Sequence, residues 1–302
     1  MENKNSEGTI LLTIDVEDWF QVENFRPWIS SSSWNSRELR VVRNTYCLLD
    51  LFDSFGEARQ GNSRAISKIS ATFFILGWVA RRLPGLVREI ADRGHEVASH
   101  GYRHRLISHM RSDQLLEDLT RSRKLLEDIT GAAVDGYRAP SFSISEKSFR
   151  CVETSGYRYD SSYNSFARHG RYGHLDLSGF QRREGAYRNP NGFYEIPISN
   201  LHMGGRVFPW GGGGYFRLLP FFLFRMGVRR ILNREKVYLF YIHPWEVDPD
   251  QPVVNVAPLG SKFKHYINLK RTLPRLHGLL EYFGVYRFSS CRQYLGRVSG
   301  GI

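Results

Sequence analysis

The sequence predicts an α/β fold built on a parallel sheet that is closed, or nearly closed, into a barrel. Two observations support this prediction. Short apolar runs rich in β-forming residues alternate with helical patterns, and eight of these runs are candidate strands. Such alternation is typical of parallel strands joined by helices. The candidate strands are residues 9–14, 71–76, 96–99, 134–138, 158–161, 193–197, 237–242 and 285–288.

Apolar residues at helical spacing predict helices over residues 40–55, 84–94 and 112–130. Pro84 suits a first helical turn, and Gly94 and Gly131 suit helix ends. Residues 56–70 are polar and rich in Gly, Ser and Arg, which predicts an exposed loop inserted into the fold.

The composition fits one folded domain over residues 1–302, because the chain is 41% hydrophobic. The net charge of +12 favours an acidic glycan or an anionic phospholipid surface as partner, and it fits simple solubility equally well. Nucleic acid is not favoured, since the basic residues are scattered and form no recognition motif. Three cysteines without a CxxC pair and no visible signal peptide indicate the cytoplasm.

Polar residues follow several candidate strands, where the active sites of parallel barrels lie. We expect these residues to converge on one reaction. They are Asp15, Glu17 and Asp18 after the first strand, His100 and His104 after the third, Arg138 and Pro140 after the fourth, Asp160 after the fifth and His243 after the seventh.

His100 and His104 share one face if they lie in a helix or a tight turn, so both can bind one metal ion. Histidines at this spacing are more often ordinary surface or core residues. A carboxylate from another strand would complete an open site for zinc or a similar ion.

The acids after the first strand would repel one another unless a cation or an arginine neutralises them. One acid can bind the metal while another acts as a base. Asp18 is equally placed to cap the next helix.

Arg138 ends a strand and could keep Asp15 ionised, or it could be an ordinary surface arginine. His243 ends an apolar strand and could donate a proton to a leaving amine, or it could be a core histidine bonded to the backbone.

Several segments together resemble the polysaccharide deacetylases, the NodB-homology or carbohydrate esterase family 4 group. Within that group the chain resembles the branch found in bacterial exopolysaccharide loci of the PEP-CTERM/exosortase type. The segments are TIDVEDWF, ATFFILGWVA, HEVASHGYRH, GYRAPSFSI, YRYDSS, GGGGYFRLLP, YIHPWEVDP and HYINLKRTLPRL.

The resemblance implies a distorted, incomplete (β/α) barrel that binds a divalent metal, usually zinc. It implies that Asp15 is the catalytic base, that Arg138 steadies it and that His243 is the acid. His100 and His104 match the metal-binding histidines. Glu17 is our choice for the third ligand, with Asp18 in reserve, because Val16 stands where the commonest form of the motif has a second aspartate.

The family's groove motif of aspartate and tryptophan is not recognisable here, and Ser141 replaces its usual tyrosine after Arg138-Ala-Pro. Trp210, Asp160 and Pro140 are our candidates for contact with the substrate. Trp210 precedes four glycines and could form a sugar-stacking lip or belong to a plain turn. The chain from about residue 245 is interpreted as a family-specific extension.

The sequence thus predicts a zinc-dependent hydrolase that removes N-acetyl groups from a bacterial exopolysaccharide or its precursor. The alternatives are an amidohydrolase for small molecules and a non-catalytic glycan-binding protein. Residues 217–236 mix aromatics with arginines, as helices at membrane interfaces do, although such a stretch more often packs on a barrel. Peripheral contact with an anionic membrane, at its inner face, is therefore a further expectation.

Overall fold

A computed structural model describes residues 8–55, 68–166 and 170–299. Its strands are β1 (Thr9–Val16), β2 (Thr72–Ile75), β3 (Glu96–Ser99), β4 (Gly136–Tyr137), β5 (Tyr159–Asp160), β6 (Gln181–Arg183), β7 (Ala186–Arg188), β8 (Tyr194–Glu195), β9 (Asn200–Met203), β10 (Arg206–Pro209), β11 (Val237–Ile242) and β12 (Arg287–Ser289). Its α-helices are α1 (Val41–Asp53), α2 (Gly77–Arg82), α3 (Pro84–Asp92), α4 (Ser112–Thr130), α5 (Glu146–Thr154), α6 (Gly213–Leu218), α7 (Phe221–Glu235), α8 (Leu259–Tyr266), α9 (Thr272–Tyr282) and α10 (Cys291–Val298).

One curved sheet dominates the fold, in the order β11-β1-β2-β3-β4-β5-β8-β7-β6. Neighbouring strands from β11 to β8 run parallel, whereas β8, β7 and β6 pair antiparallel. β12 also pairs in parallel with the start of β1. The predicted α/β class is confirmed, and the barrel is incomplete, because within the described residues β6 and β11 end the sheet.

β1 pairs with three strands, β11, β2 and β12, and its sequence TILLTIDV explains why it is buried. Every residue from Ile10 to Val16 is buried, as expected for a β-rich apolar run covered on both faces. Residues 9–14 pair with β11, and residues 13–16 pair with β2 on the other edge. The carboxyl end of β1 therefore lies between the ends of two parallel strands.

The helices cover the sheet with their apolar stripes. α4 buries Leu115, Leu119 and Leu126 and ends at Gly131, which has a positive φ of 67° as a left-handed helix cap requires. α3 begins at Pro84, and α4 has the bounds that the sequence predicts. No described helix is both long and apolar enough to cross a membrane.

Two hairpins are missing from the sequence prediction, β6–β7 and β9–β10. Their strands are short and largely exposed, so they lack the apolar runs on which the prediction depends. The predicted strand at 193–197 is reduced to Tyr194–Glu195, and it begins the antiparallel part of a sheet that was expected to be parallel. Most of the predicted loop at 56–70, residues 56–67, lies outside the described residues.

We predict that Gly136→Ala destabilises the sheet beside the site. A Cβ on Gly136 would lie 2.2 Å from the Tyr159 hydroxyl, which donates a hydrogen bond to buried Glu96. Overpacking of this kind costs about 1–3 kcal/mol in the free energy of unfolding. Gly85→Ala in α3 is the control, because no atom lies within 4 Å of its Cβ position. Urea denaturation of both variants checks this, and equal stabilities would contradict it.

Candidate active site

A cavity of about 330 Å³ opens where β1, β3 and β11 end. Five of the titratable residues singled out from the sequence line its wall, and aromatic and apolar side chains form much of the rest. The lining includes Asp15, Glu17, His100, His104, Phe142, Tyr172, Tyr215, Leu218, Tyr241, His243, Trp245, Glu246 and Phe263.

Asp15 and Arg138 form a buried ion pair at the base of this cavity. The Arg138 guanidinium donates to Asp15 Oδ1 at 2.7 Å and to the Thr13 hydroxyl at 2.8 Å. Arg138 is fully buried and Asp15 is 2% exposed. A charged hydrogen bond this short fixes the orientation of the carboxylate.

Arg138 is itself held on its other side by the loop after β5. Its Nε donates to the Ser161 carbonyl and its Nη2 to the Ser161 hydroxyl, both at 2.9 Å. The guanidinium also lies 4.1 Å from the centroid of the Phe74 ring. The arginine therefore has a single orientation, determined by neighbours on three strands.

Glu17 lies between two histidines. Its Oε2 is 3.0 Å from His104 Nε2, and its Oε1 is 3.3 Å from His243 Nε2. The Trp245 indole also donates to Oε1 at 3.3 Å. Burial alone would raise the pKa of Glu17, but the charges of His104, His243 and His100 outweigh it and lower the pKa to about 2. Glu17 is therefore an ionised carboxylate in an enclosed site.

His100 and His104 lie in the loop after β3, not in a helix. Gly101 and His104 have positive φ angles of 71° and 50°, and the ring centroids of the two histidines are 5.4 Å apart. His100 Nδ1 bonds to the Arg138 carbonyl at 2.8 Å. Burial lowers the pKa of His100 to about 4, so it is neutral, whereas the Glu17 charge outweighs burial and raises the pKa of His104.

His243 is oriented by a second buried ion pair. Its Nδ1 bonds to Glu246 Oε1 at 2.8 Å, and Arg217 donates to Glu246 Oε2 at the same distance. Burial would lower the pKa of His243, but the hydrogen bond to Glu246 and the charges of Glu17, Glu246 and Asp15 raise it to about 9. His243 is thus protonated at neutral pH, with Nε2 facing the two acids.

Asp18 has a structural position. Its Oδ2 accepts from the backbone N–H groups of Arg40 and Val41, and its Oδ1 accepts from that of Trp19. The side chain therefore caps the start of α1, across a gap of more than twenty residues. Both oxygens are occupied, so Asp18 is a poorer candidate ligand than Glu17.

The three residues proposed from sequence as substrate contacts lie outside the cavity wall. Trp210 stacks on Phe224 and donates its indole N–H to the Phe224 carbonyl at 2.9 Å. Asp160 is fully buried and accepts from the Ser162 hydroxyl. Pro140 is buried, and it begins the turn that brings its neighbours Ser141 and Phe142 to the cavity. Each is occupied in packing, so a contact with substrate stays a sequence prediction.

Sequence reasoning missed Trp245, Glu246 and Arg217. Glu246 follows His243 by three residues and completes a capping box with it, a spacing visible in the sequence. Arg217 is 1% exposed and ion-paired, although its surroundings in sequence suggested an exposed interfacial segment. A charge–charge contact between residues 29 positions apart leaves no signal in a single sequence.

A divalent metal is the cofactor that the sequence predicts, and two observations bear on its fit. No group of three His, Cys, Asp or Glu side chains within the described residues is already gathered as a metal site requires. However, Glu17 Oε2 is buried without a hydrogen-bond partner, although His104 Nε2 lies 3.0 Å away. A carboxylate oxygen and an imidazole nitrogen that face each other at 3.0 Å can both bind one cation when the histidine is deprotonated. The set of one carboxylate and two imidazoles is a zinc ligand set.

Comparison with known protein families divides the chain near residue 160. Residues 66–159 match the family model "Polysaccharide deacetylase", and residues 161–296 match a "Domain of unknown function (DUF3473)". The first region contains His100, His104 and Arg138. The second contains His243, Glu246 and Arg217. Asp15 and Glu17 precede both regions.

Curated relatives match a short part of the chain. A peptidoglycan deacetylase of Helicobacter pylori is 34% identical over 100 residues, which is 32% of this chain and 34% of that protein. A peptidoglycan-N-acetylglucosamine deacetylase of Bacillus cereus is 29% identical over 82 residues, 27% of this chain and 30% of that protein. The matched part thus spans about a third of these relatives.

Solved structures share the fold over nearly the whole chain. A candidate polysaccharide deacetylase from Mycobacterium smegmatis has a TM-score of 0.60 at 17% identity, covering 99% of this chain and 93% of that one. The PuuE allantoinase has a TM-score of 0.58 at 17% identity, covering 98% and 91%. At these identities the likeness concerns the fold alone.

We predict that Arg138→Met costs about 3–5 kcal/mol in the free energy of unfolding, because it leaves the Asp15 carboxylate buried without its partner. The double variant Arg138→Met/Asp15→Asn removes that charge and should recover part of the loss. Urea denaturation of the parent, both single variants and the double variant gives the coupling energy. Strictly additive effects would show that the pair does not interact as described.

Proposed function

We propose that the chain is a metal-dependent hydrolase that removes N-acetyl groups from a sugar, because residues 66–159 match the polysaccharide deacetylase family model. The observation that carries the proposal is the set of side chains around one cavity. An arginine-held carboxylate, a second carboxylate between histidines and a protonated histidine have the chemical properties that amide hydrolysis requires.

Glu17, His100 and His104 would hold the metal, which we take to be zinc. A bound divalent ion lowers the pKa of water and polarises a carbonyl oxygen. The bond from His100 Nδ1 to the Arg138 carbonyl fixes the ring and leaves Nε2 as the free donor. The low pKa values of Glu17 and His100 keep both side chains in the deprotonated forms that metal binding needs.

Asp15 is the general base of the proposed reaction. Arg138 occupies its Oδ1, so Oδ2 remains to take a proton from the attacking water. The same arginine limits the side chain to one orientation. In the hydrolysis a C–O bond forms at the acetyl carbonyl and the C–N bond to the sugar breaks.

His243 is the general acid that completes this exchange. Its Nε2 lies 4.0 Å from Asp15 Oδ2 on the cavity wall, and Glu246 holds Nδ1 on the opposite side of the ring. A histidine whose pKa is raised to about 9 holds its proton at neutral pH and can pass it to the leaving amine. The products are acetate and a free amino sugar.

We further propose that the substrate is a bacterial exopolysaccharide or its precursor, which the predicted family branch supports. The curated relatives carry names that specify peptidoglycan, so an N-acetylated glycan is common to both interpretations. A single domain over residues 1–302, the extension from about residue 245 and a cytoplasmic position at the inner membrane face stay sequence predictions.

The test is acetate release from N-acetylated oligosaccharides by zinc-loaded and chelator-treated protein in parallel. We expect release that depends on metal and falls by about 10²–10⁴-fold in Asp15→Asn. Asp128→Asn, an exposed acid on α4, is the matched control and should keep full activity. Full activity in Asp15→Asn would exclude it as the base. Tightly bound metal without release from any glycan would favour a small-molecule amidase or a glycan-binding protein.

We predict that substitutions of Glu17 and Asp18 differ in their effect on zinc binding. Glu17→Gln should lose bound zinc and should also destabilise the metal-free protein, because it removes the charge that pairs with His104 and His243. Asp18→Asn should keep zinc and lose about 1 kcal/mol of stability, because it weakens the cap of α1. Metal content and urea denaturation measured on both variants decide the matter, and zinc loss in Asp18→Asn alone would reverse the assignment.

A further inference from the structure

Exposed apolar side chains concentrate beside the mouth of the active-site cavity. Among the described residues, fourteen large hydrophobic side chains are exposed, and nine of them fall within residues 215–226 and 253–263. Contiguous exposed apolar groups in a folded protein mark an interaction site. We define the apolar surface as the side chains of Leu218, Phe222, Met226, Val256, Leu259 and Phe263.

The apolar surface includes one row on α7 and one on α8, and two of its members line the cavity. Phe222 and Met226 are one turn apart on the exposed face of α7, and Leu259 and Phe263 are one turn apart on α8. Leu218 and Phe263 both line the cavity as well. The apolar surface is therefore continuous with the wall of the active site.

Hydrogen bonds connect α6, which carries Leu218, to the end of α8. Buried Arg217 of α6 donates to the carbonyls of Lys264, His265 and Ile267 at the end of α8. The same arginine binds Glu246, which orients His243. The apolar surface and the proposed acid therefore share one anchoring side chain.

The two segments that carry the apolar surface are basic, although Glu23 lines the adjoining cavity and Glu235 pairs with Arg234. Residues 196–234 contain six arginines and no acid, and residues 251–280 contain five basic residues and no acid. On α7, exposed Phe222 and Met226 in the first turns give way to exposed Arg229, Arg230 and Arg234 in the last turns. Apolar side chains bordered by basic ones match the interface of an anionic bilayer.

We propose that this surface docks on an anionic membrane and that the enzyme deacetylates a lipid-linked saccharide whose lipid remains in the bilayer. The identity of the reaction rests on the proposed function. Docking would bring the cavity mouth, through Leu218 and Phe263, to the plane of the headgroups. A second copy of the chain is the rival occupant, but the concentration of basic charge disfavours self-association.

The docking test is sedimentation of the full chain with vesicles of phosphatidylglycerol and phosphatidylcholine, and with phosphatidylcholine alone. We expect binding to the anionic vesicles only, weakened at least tenfold in Phe222→Ser/Met226→Ser. The control Leu116→Ser/Met203→Ser removes exposed apolar side chains elsewhere and should bind as the parent does. No binding by the parent, or equal loss in both double variants, overturns the proposal.

A second pair of variants tests the charge. Arg230→Glu/Lys270→Glu should weaken vesicle binding at least tenfold, whereas Arg81→Glu/Arg88→Glu, with the same change in net charge on α2 and α3, should have little effect. If both pairs weaken binding equally, net charge alone attracts the protein and the docking surface is wrong. If the apolar variants turn a dimer into a monomer without changing vesicle binding, the surface is an interface between copies.

Activity separates docking from chemistry. Phe222→Ser/Met226→Ser should hydrolyse a water-soluble N-acetylated oligosaccharide at the parent rate and a vesicle-embedded N-acetylated glycolipid at least tenfold more slowly. Equal rates on the glycolipid would overturn the lipid-linked substrate. If the parent releases acetate from no substrate, the proposed function is wrong. The vesicle experiments would still test whether the apolar surface binds an anionic membrane.

Discussion

The guanidinium of Arg138 joins the strands that form the site. It donates to Thr13 and Asp15 at the end of β1, to Ser161 after β5, and it lies over Phe74 of β2. The backbone carbonyl of Arg138 is hydrogen-bonded to Nδ1 of His100, which lies in the loop after β3. A buried cation is costly unless its partners satisfy it, so these groups must be in place together. The arginine thereby fixes the proposed base and one proposed metal ligand relative to each other.

A second arginine, Arg217, fixes the positions of the site residues on the other side of the cavity. Arg217 pairs with Glu246, Glu246 orients His243, and His243 contacts Glu17, which directly follows β1. The contact from Arg138 to Asp15 starts in the first matched region, and the series from Arg217 to Glu17 starts in the second. Both end on acids that precede either region. The cavity therefore depends on residues from both matched regions and from the strand that precedes them.

Local sequence patterns predicted part of the fold and part of the candidate site. The apolar run of β1 and the amphipathic spacing of α4 fixed their bounds closely, and polar residues after successive strands indicated the cavity. The exposed hairpins lacked such patterns. Arg217 was missed because it contacts Glu246 over 29 positions in sequence, whereas the spacing of Glu246 from His243 was visible but was not used. Trp210 was singled out for its glycines, yet the structure packs it against Phe224, where Gly227 leaves room for the indole.

The spacing of the two proposed acids follows from the geometry of β1. Side chains of a strand alternate between its faces, so Thr13 and Asp15 point to the same side while Ile14 and Val16 enter the hydrophobic core. Glu17 continues the first series and reaches His104 and His243. Asp18 falls on the other side and meets the start of α1. An acid directly after Asp15 would face the core, so the sequence Asp-Val-Glu places both carboxylates in one cavity and keeps the apolar face of the strand intact.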